Sequence, residues 1–256
     1  MRMVAVNRSR PSLVAEGLVQ SFGDGERRRI LLNELSMELY PGQFALLMGP
    51  SGSGKSTLLA VLSGLLAPES GRVLAIDRQG PGDYSDVWSL SKQQRERFRL
   101  ANTGFIFQGY NLFPALTAMQ QLEIVLSWGT GPRGGAARRK SDEMLEKLGL
   151  SGCRNKTPSQ LSGGEKQRVA IGRALVKDPM FIFADEPTSA LDWENGQHVV
   201  QLLRDAAHTR GATIFAVTHD SRLLPYADVC YHLDGGKMTA DHTPGNGSQA
   251  NMVGGH

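Results

Sequence analysis

A chain of 256 residues with 40% hydrophobic and 21% charged side chains is long enough for one large α/β domain, or two small ones, and excludes a polypeptide disordered throughout. A net charge of +3, from 28 basic against 25 acidic residues, is too balanced to mark a nucleic-acid groove or an anionic membrane surface. The two cysteines, Cys153 and Cys230, stand far apart without CxxC spacing, which fits reduced thiols in the cytosol better than a zinc site or a disulfide framework. The longest apolar stretch, residues 58–68, is broken by Ser63 and Gly64 and falls short of the ~20 residues that span a bilayer. Arg2, Arg8 and Arg10 begin the chain, but Asn7, Ser9 and Pro11 break any apolar segment of a signal peptide.

In chain order, residues 1–12 are an extension, and residues 13–39 alternate apolar and polar side chains. A turn-like Gly23-Asp24-Gly25 divides this stretch and Tyr40-Pro41-Gly42 closes it, the pattern of an antiparallel β region. Residues 44–48 are a continuous apolar run ending at Gly49, as in a strand buried on both faces of a parallel sheet, and a helix is expected over 55–66. Strands follow at 72–76 and 103–107, separated by a polar helical segment over 86–100. Apolar residues recur at helical spacing over 117–128 and 136–148, joined by the glycine-rich link 129–135, so residues 109–176 read as a mainly helical subdomain. The α/β pattern returns with strands at 180–184, 213–217 and 229–233, and no internal repeat is visible. Residues 238–256 have almost no apolar content and are expected to be disordered, which leaves 13–237 as the folded domain. The fold class is α/β, with an antiparallel β subdomain, a mainly parallel core sheet and an inserted helical subdomain.

Chemistry enters at Gly49, Pro50, Ser51, Gly52, Ser53, Gly54, Lys55, Ser56 and Thr57. This run matches G-x-x-x-x-G-K-[ST] and sits between a buried strand and a helix, the context of a P-loop NTPase. Its glycines let backbone N–H groups turn inward onto phosphate oxygens, helped by the dipole of the helix that follows. Lys55 is then placed to pair with the β- and γ-phosphates of ATP, and the Ser56 hydroxyl to hold Mg²⁺. A second element, residues 181–186, is an apolar strand that delivers Asp185 and Glu186 at its end. Asp185 suits the metal ion and Glu186 the attacking water; adjacent strand residues point to opposite sides, so the two need different roles. In the third, Leu161-Ser162-Gly163-Gly164-Glu165, a helix capping box explains Ser162 and Glu165. It does not explain two glycines in the first turn, which weaken a helix but open its backbone to an anion.

These motifs together resemble the nucleotide-binding subunit of an ABC transporter, over roughly residues 13–237. LSGGE resembles that family's signature sequence, Gln108 its Q-loop glutamine, Ser189-Ala190-Leu191-Asp192 its D-loop and His219 its switch histidine. Phe22 falls where the family stacks an aromatic ring, more usually tyrosine, on adenine. The resemblance implies an ATP hydrolase in which Gln108 touches magnesium and the water, and His219 contacts the γ-phosphate. It implies a head-to-tail homodimer in which Ser162, Gly163, Gly164 and Glu165 of one copy complete the site built on Lys55 and Glu186 of the other. An integral membrane permease is the implied partner, holding the subunit at the cytoplasmic face, and no nucleic acid is expected.

Residues 109–117, with Tyr110, Leu112 and Phe113, are either a docking segment for that permease or a local hydrophobic cluster. The phrases around Gln108 and His219 look most like the subgroup serving lipoprotein release, macrolide efflux and glycolipid export, although Gln120-Gln121-Leu122 departs from that pattern. An importer subunit is the alternative. Importers often add a C-terminal regulatory domain, for which the residues after Lys237 are too few. ABC-type ATPases acting on DNA or ribosomes carry coiled-coil or zinc insertions, or two ATPase halves, and neither fits one phosphate loop and two cysteines.

Overall fold

A computed structural model describes residues 10–23, 28–78, 83–128 and 131–241. Two sheets carry the chain. Strands β1 (Leu13–Phe22), β2 (Arg29–Leu39), β4 (Ser70–Ile76) and β5 (Tyr84–Asp86) form an antiparallel sheet in the order β2-β1-β4-β5. Strands β3 (Phe44–Met48), β6 (Thr103–Ile106), β7 (Phe181–Asp185), β8 (Thr213–Val217), β9 (Val229–Asp234) and β10 (Lys237–Asp241) form the second, in the order β10-β9-β3-β8-β7-β6. Every neighbouring pair in it is parallel except β9 with β10.

The apolar runs of β3, β7 and β8 follow from this position, because both faces of the parallel sheet are covered and strand alternation divides each run between two cores. Phe44, Leu46, Ile182, Ala184, Ile214 and Ala216 face one core with helices α3 (Ala118–Ser127), α4 (Gly135–Lys147), α5 (Gly163–Leu175) and α6 (Trp193–His208). Ala45, Leu47, Phe181, Phe183, Phe215 and Val217 face the other, closed by the antiparallel sheet and helix α1 (Lys55–Leu62). Close packing holds the two sides together. A Cβ at Gly104 on β6 would stand 2.4 Å from the carbonyl oxygen of Ala174 on α5. Gly104→Ala is therefore expected to cost about 2 kcal/mol through forced backbone movement, read as a lowered urea midpoint at unchanged slope.

Several strand ends move by one or two residues, and the larger departures from the sequence reading each have a local reason. Helix α1 stops at Leu62, short of residue 66, because Ser63 is its cap and Gly64 takes φ 76°. Helix α2 (Lys92–Asn102) starts later than residue 86, since Ser91 and Gln94 form a reciprocal capping box. Tyr84–Asp86, overlapping the start of that stretch, pair with β4 as β5, too short and polar to show periodicity. Residues 238–241, expected to be disordered, are strand: Gly235 and Gly236 at φ 54° and 76° turn the chain back so that Lys237 pairs Asp234 and Asp241 pairs Cys230. As an edge strand, β10 shows no apolar alternation. Most of the expected Gly23-Asp24-Gly25 turn, residues 1–9 of the extension and residues 242–256 of the tail lie outside the described residues. No helix among the described residues is long and apolar enough to cross a membrane.

Candidate active site

The strand order places the site. Parallel neighbours end on the same side of a sheet, so the C-terminal ends of β3, β8, β7 and β6 open onto one edge. After β3 comes the phosphate loop, after β8 His219, at the end of β7 Asp185 and Glu186, and beyond β6 Gln108. Gln108, Asp185, Glu186 and His219 line one cavity of about 320 Å³ together with Ser51, Gly52, Gly54, Lys55, Ser56 and Thr57 of the loop, whereas Gly49, Pro50 and Ser53 stand behind its wall. Leu31 and Val217 line it too, and neither carried a sequence signal.

The loop's shape requires its glycines. A Cβ on Gly49, at φ 145°, would stand 2.2 Å from the Leu233 carbonyl oxygen of β9. One on Gly54, at φ 101°, would stand 2.9 Å from the Leu31 carbonyl oxygen. Lys55 is buried at the start of α1 and its Nζ donates to the carbonyl oxygens of Gly49 at 2.9 Å and Pro50 at 2.8 Å, closing the loop on itself. Burial pulls the Lys55 pKa down while Glu186 and Asp185 pull it back up, so the ammonium group is short of compensating charge. Buried Ser53 Oγ has no hydrogen-bond partner.

Glu186 sits in a left-handed conformation, φ 52°, with its N–H donating to the Val217 carbonyl oxygen at 3.0 Å. That geometry is costly for a residue with a side chain and turns the carboxylate into the cavity instead of along the strand. Glu186 Oε1 lies 3.6 Å from His219 Nε2, is buried and has no hydrogen-bond partner. Burial raises the Glu186 pKa, with the charge of His219 opposing. A buried carboxylate oxygen held free, with a basic pKa shift, is the arrangement of a proton acceptor.

Other expected residues do not line the cavity. Phe22 ends β1 and is 78% exposed. Ser162, Gly163, Gly164 and Glu165 form the first turn of α5, and there the capping reading holds: Glu165 N–H donates to Ser162 Oγ at 3.2 Å and Ser162 N–H to Glu165 Oε2 at 2.7 Å. The Ser162 N–H, then the Cys153 thiol 3.0 Å from Oε1, then Lys156, hold the Glu165 pKa at about 2. Ser189, Ala190, Leu191 and Asp192 lead into α6, where Asp192 caps the helix through Asn195 N–H at 2.9 Å. This segment touches the signature turn within the same chain, since a Cβ on Gly164 would meet Leu191 Cδ2 at 3.3 Å. Directly after it, Trp193 stacks under Arg222 at 4.4 Å, and Arg222 pairs with Asp220, the neighbour of His219, at 2.8 Å. Gln167, not singled out in the sequence, is buried in α5 and donates to the Pro187 carbonyl oxygen at 2.9 Å, tying α5 to the turn after Glu186.

The residues fit a nucleotide triphosphate with magnesium. Backbone of a kind no side chain could share, an undercompensated ammonium and an orphaned hydroxyl answer to phosphate oxygens. Ser56, Asp185 and Gln108 offer hard oxygen ligands, and no cluster of three or more His, Cys, Asp or Glu side chains among the described residues cages an ion. Few protein ligands shared with substrate phosphates is how Mg²⁺ is usually held. The family model described as "ABC transporter" matches residues 32–189, more than half of the chain. The chain belongs to the ABC transporter family, as an ATP-binding subunit.

It is 40% identical over 233 residues to the ATP-binding protein HrtA of Staphylococcus aureus strain Newman, to which hemin import is ascribed, covering 89% of this chain and 99% of HrtA. HrtA of strain MRSA252 matches to the same extent. Among solved structures, the ATP-binding cassette MJ0796, as a dimer in a post-hydrolysis state bound to ADP and Pi, superposes with a TM-score of 0.82 at 32% identity, covering 91% of this chain and all of that one. A second dimeric structure of MJ0796, described as a bacterial ABC transporter cassette, matches equally. The chain is thus an ATP-hydrolysing ABC subunit that uses Mg²⁺ and works with a membrane permease.

Proposed function

We propose that this ABC subunit drives an exporter, and that hydrolysis is carried by the residues at the edge of the parallel sheet. The supporting observation is the convergence of Lys55, Gln108, Asp185, Glu186 and His219 on one cavity from four different strand ends. Residues 49–57 hold the phosphate chain, with Lys55 leaving its two carbonyl partners for the β- and γ-phosphate oxygens. Phe22 stacks on adenine. Ser56, Asp185 and Gln108 would hold Mg²⁺, which would supply neutralisation of the phosphate charge. Glu186 takes a proton from a water molecule whose oxygen bonds to the γ-phosphorus as the bond to the β–γ bridging oxygen breaks, and ADP carries that electron pair away. His219 steadies the γ-phosphate opposite Lys55, and Gln108 positions the water.

A second copy supplies the remaining contacts. Ser162 to Glu165 expose an anion-ready helix end away from the cavity of their own chain, which supports a head-to-tail dimer with two ATP molecules at its seam. Closing that seam carries the work to the permease. A second cavity of about 380 Å³ lies just behind Gln108, lined by Phe105, Phe107, Phe113, Trp128, Arg99 and Arg173. Phe113 and Trp128 are 41% and 42% exposed at its edge, which supports permease docking on the cytoplasmic side over a self-contained cluster. Phe113→Asp is expected to weaken copurification of the permease by ~30-fold, as for loss of an interface anchor, and to leave ATP hydrolysis by the free subunit intact. Undiminished copurification would move the docking surface elsewhere.

The exporter subgroup rests on the sequence phrases around Gln108 and His219, whereas the import ascribed to HrtA favours the opposite direction. Reconstitution of the copurified permease complex in vesicles decides between them. ATP added on the side of this subunit empties that compartment of substrate in an exporter and fills it in an importer.

A further inference from the structure

We propose that Arg29 is a nucleotide-binding residue that grips the phosphate chain between Phe22 and the phosphate loop. The inference rests on the nucleotide placement above and goes beyond the motifs that define it. Arg29 opens β2 directly across the ladder from Phe22. Side chains two apart on a strand share a face, and Leu31, two residues on, lines the nucleotide cavity and backs Gly54. Arg29 therefore faces the loop, and its Nη1 reaches to 3.6 Å from where a Cβ on Gly52 would stand. Its neighbour Arg28 faces away and is already occupied, with Nη2 2.6 Å from Glu69 Oε2 and Nε 2.8 Å from Ser21 Oγ. Among the described residues no carboxylate pairs with Arg29, which is exposed. A planar guanidinium with free donors, poised over backbone that cradles phosphate, is matched to a bidentate grip on phosphate oxygens.

Arg29 is carried by the antiparallel sheet and not by the parallel one, so it adds a cation from the adenine side to the one that Lys55 supplies from below the loop. The test is titration calorimetry of the full chain with ATP and with ADP in the presence of Mg²⁺. Arg29→Ala is expected to weaken both by ~10-fold, the size of one charged hydrogen-bonded contact, with Arg29→Lys in between and melting unchanged because the position is exposed. The variant's ATP affinity should also fall less steeply with added KCl, which loss of mere packing on the base would not produce. ATP affinity within twofold of the parent, or an unaltered salt dependence, overturns the assignment. Lys55→Ala is run alongside. If it too binds ATP normally, the placement of the phosphates has failed; if it binds weakly while Arg29→Ala does not, only the role of Arg29 has.

Discussion

Glu186→Gln is expected to lower kcat for ATP hydrolysis by ~10³-fold while leaving ATP affinity within about twofold, the signature of a lost general base. The amide matches the carboxylate in shape and keeps the left-handed backbone no more strained than before, so the phosphate loop and Lys55 still hold ATP. It cannot take the proton. With hydrolysis stopped, the variant should accumulate as an ATP-bound dimer on size exclusion, against a monomer in the presence of ADP. A second readout follows from the raised pKa of Glu186. Folding favours the protonated form of a carboxyl whose native pKa lies above its unfolded value. Ionised Glu186 therefore opposes folding above the native pKa, and this opposition disappears as pH falls below the unfolded value. In the absence of nucleotide, Glu186→Gln should melt higher than the parent at pH 8, and the difference should shrink towards pH 4. Normal steady-state turnover by this variant would take the proton-accepting role away from Glu186.

Lys55→Ala is expected to raise the ATP dissociation constant by ~100-fold, the loss of a charged donor shared between phosphate oxygens. The ammonium group that would turn from the Gly49 and Pro50 carbonyl oxygens to the phosphates is then gone, and no other side chain of the loop carries a positive charge in its place. Hydrolysis should fall with binding, so that kcat/KM drops further than kcat. Calorimetry with ATP and Mg²⁺ reads the first change, and unaltered affinity would displace the phosphates from this loop.

How much of this was written in the chain depends on how local each feature is. The phosphate loop was legible because its chemistry needs a contiguous run of glycines, a lysine and a serine after a buried strand. Five of the six strands of the core sheet were legible as strands and not as an order: apolar runs report burial on both faces, and nothing in β7 or β8 says that they are neighbours. The approach of His219 to Glu186 was therefore not legible before the sheet order was seen. Strand β10 escaped because an edge strand needs no apolar alternation, and a polar stretch with glycines reads as a tail. Arg29 and Gln167 escaped for the opposite reason, since an arginine among three arginines and a glutamine inside a helix carry no pattern of their own. The capping box at Ser162 and Glu165 was legible and correct, because it is spelled by residues three apart in one turn.

The stacking of Trp193 under Arg222 makes the hydrolysis cycle visible without a label. Of the three indoles in the chain, Trp88 is held under Arg95 and donates to the Val61 carbonyl oxygen, and Trp128 lies at the second cavity, so only Trp193 stands next to the segment 189–192 and one ion pair from the neighbour of His219. A guanidinium over an indole alters its emission, and a movement of His219 towards a bound phosphate would be expected to pass through Asp220 to Arg222. In a chain carrying Trp88→Phe and Trp128→Phe, the fluorescence of Trp193 should step once when ATP closes the dimer and return as product leaves, which would time the two halves of the cycle in a stopped-flow instrument. A trace that stays flat through turnover would mean that the stack rides with α6 and takes no part in the switch.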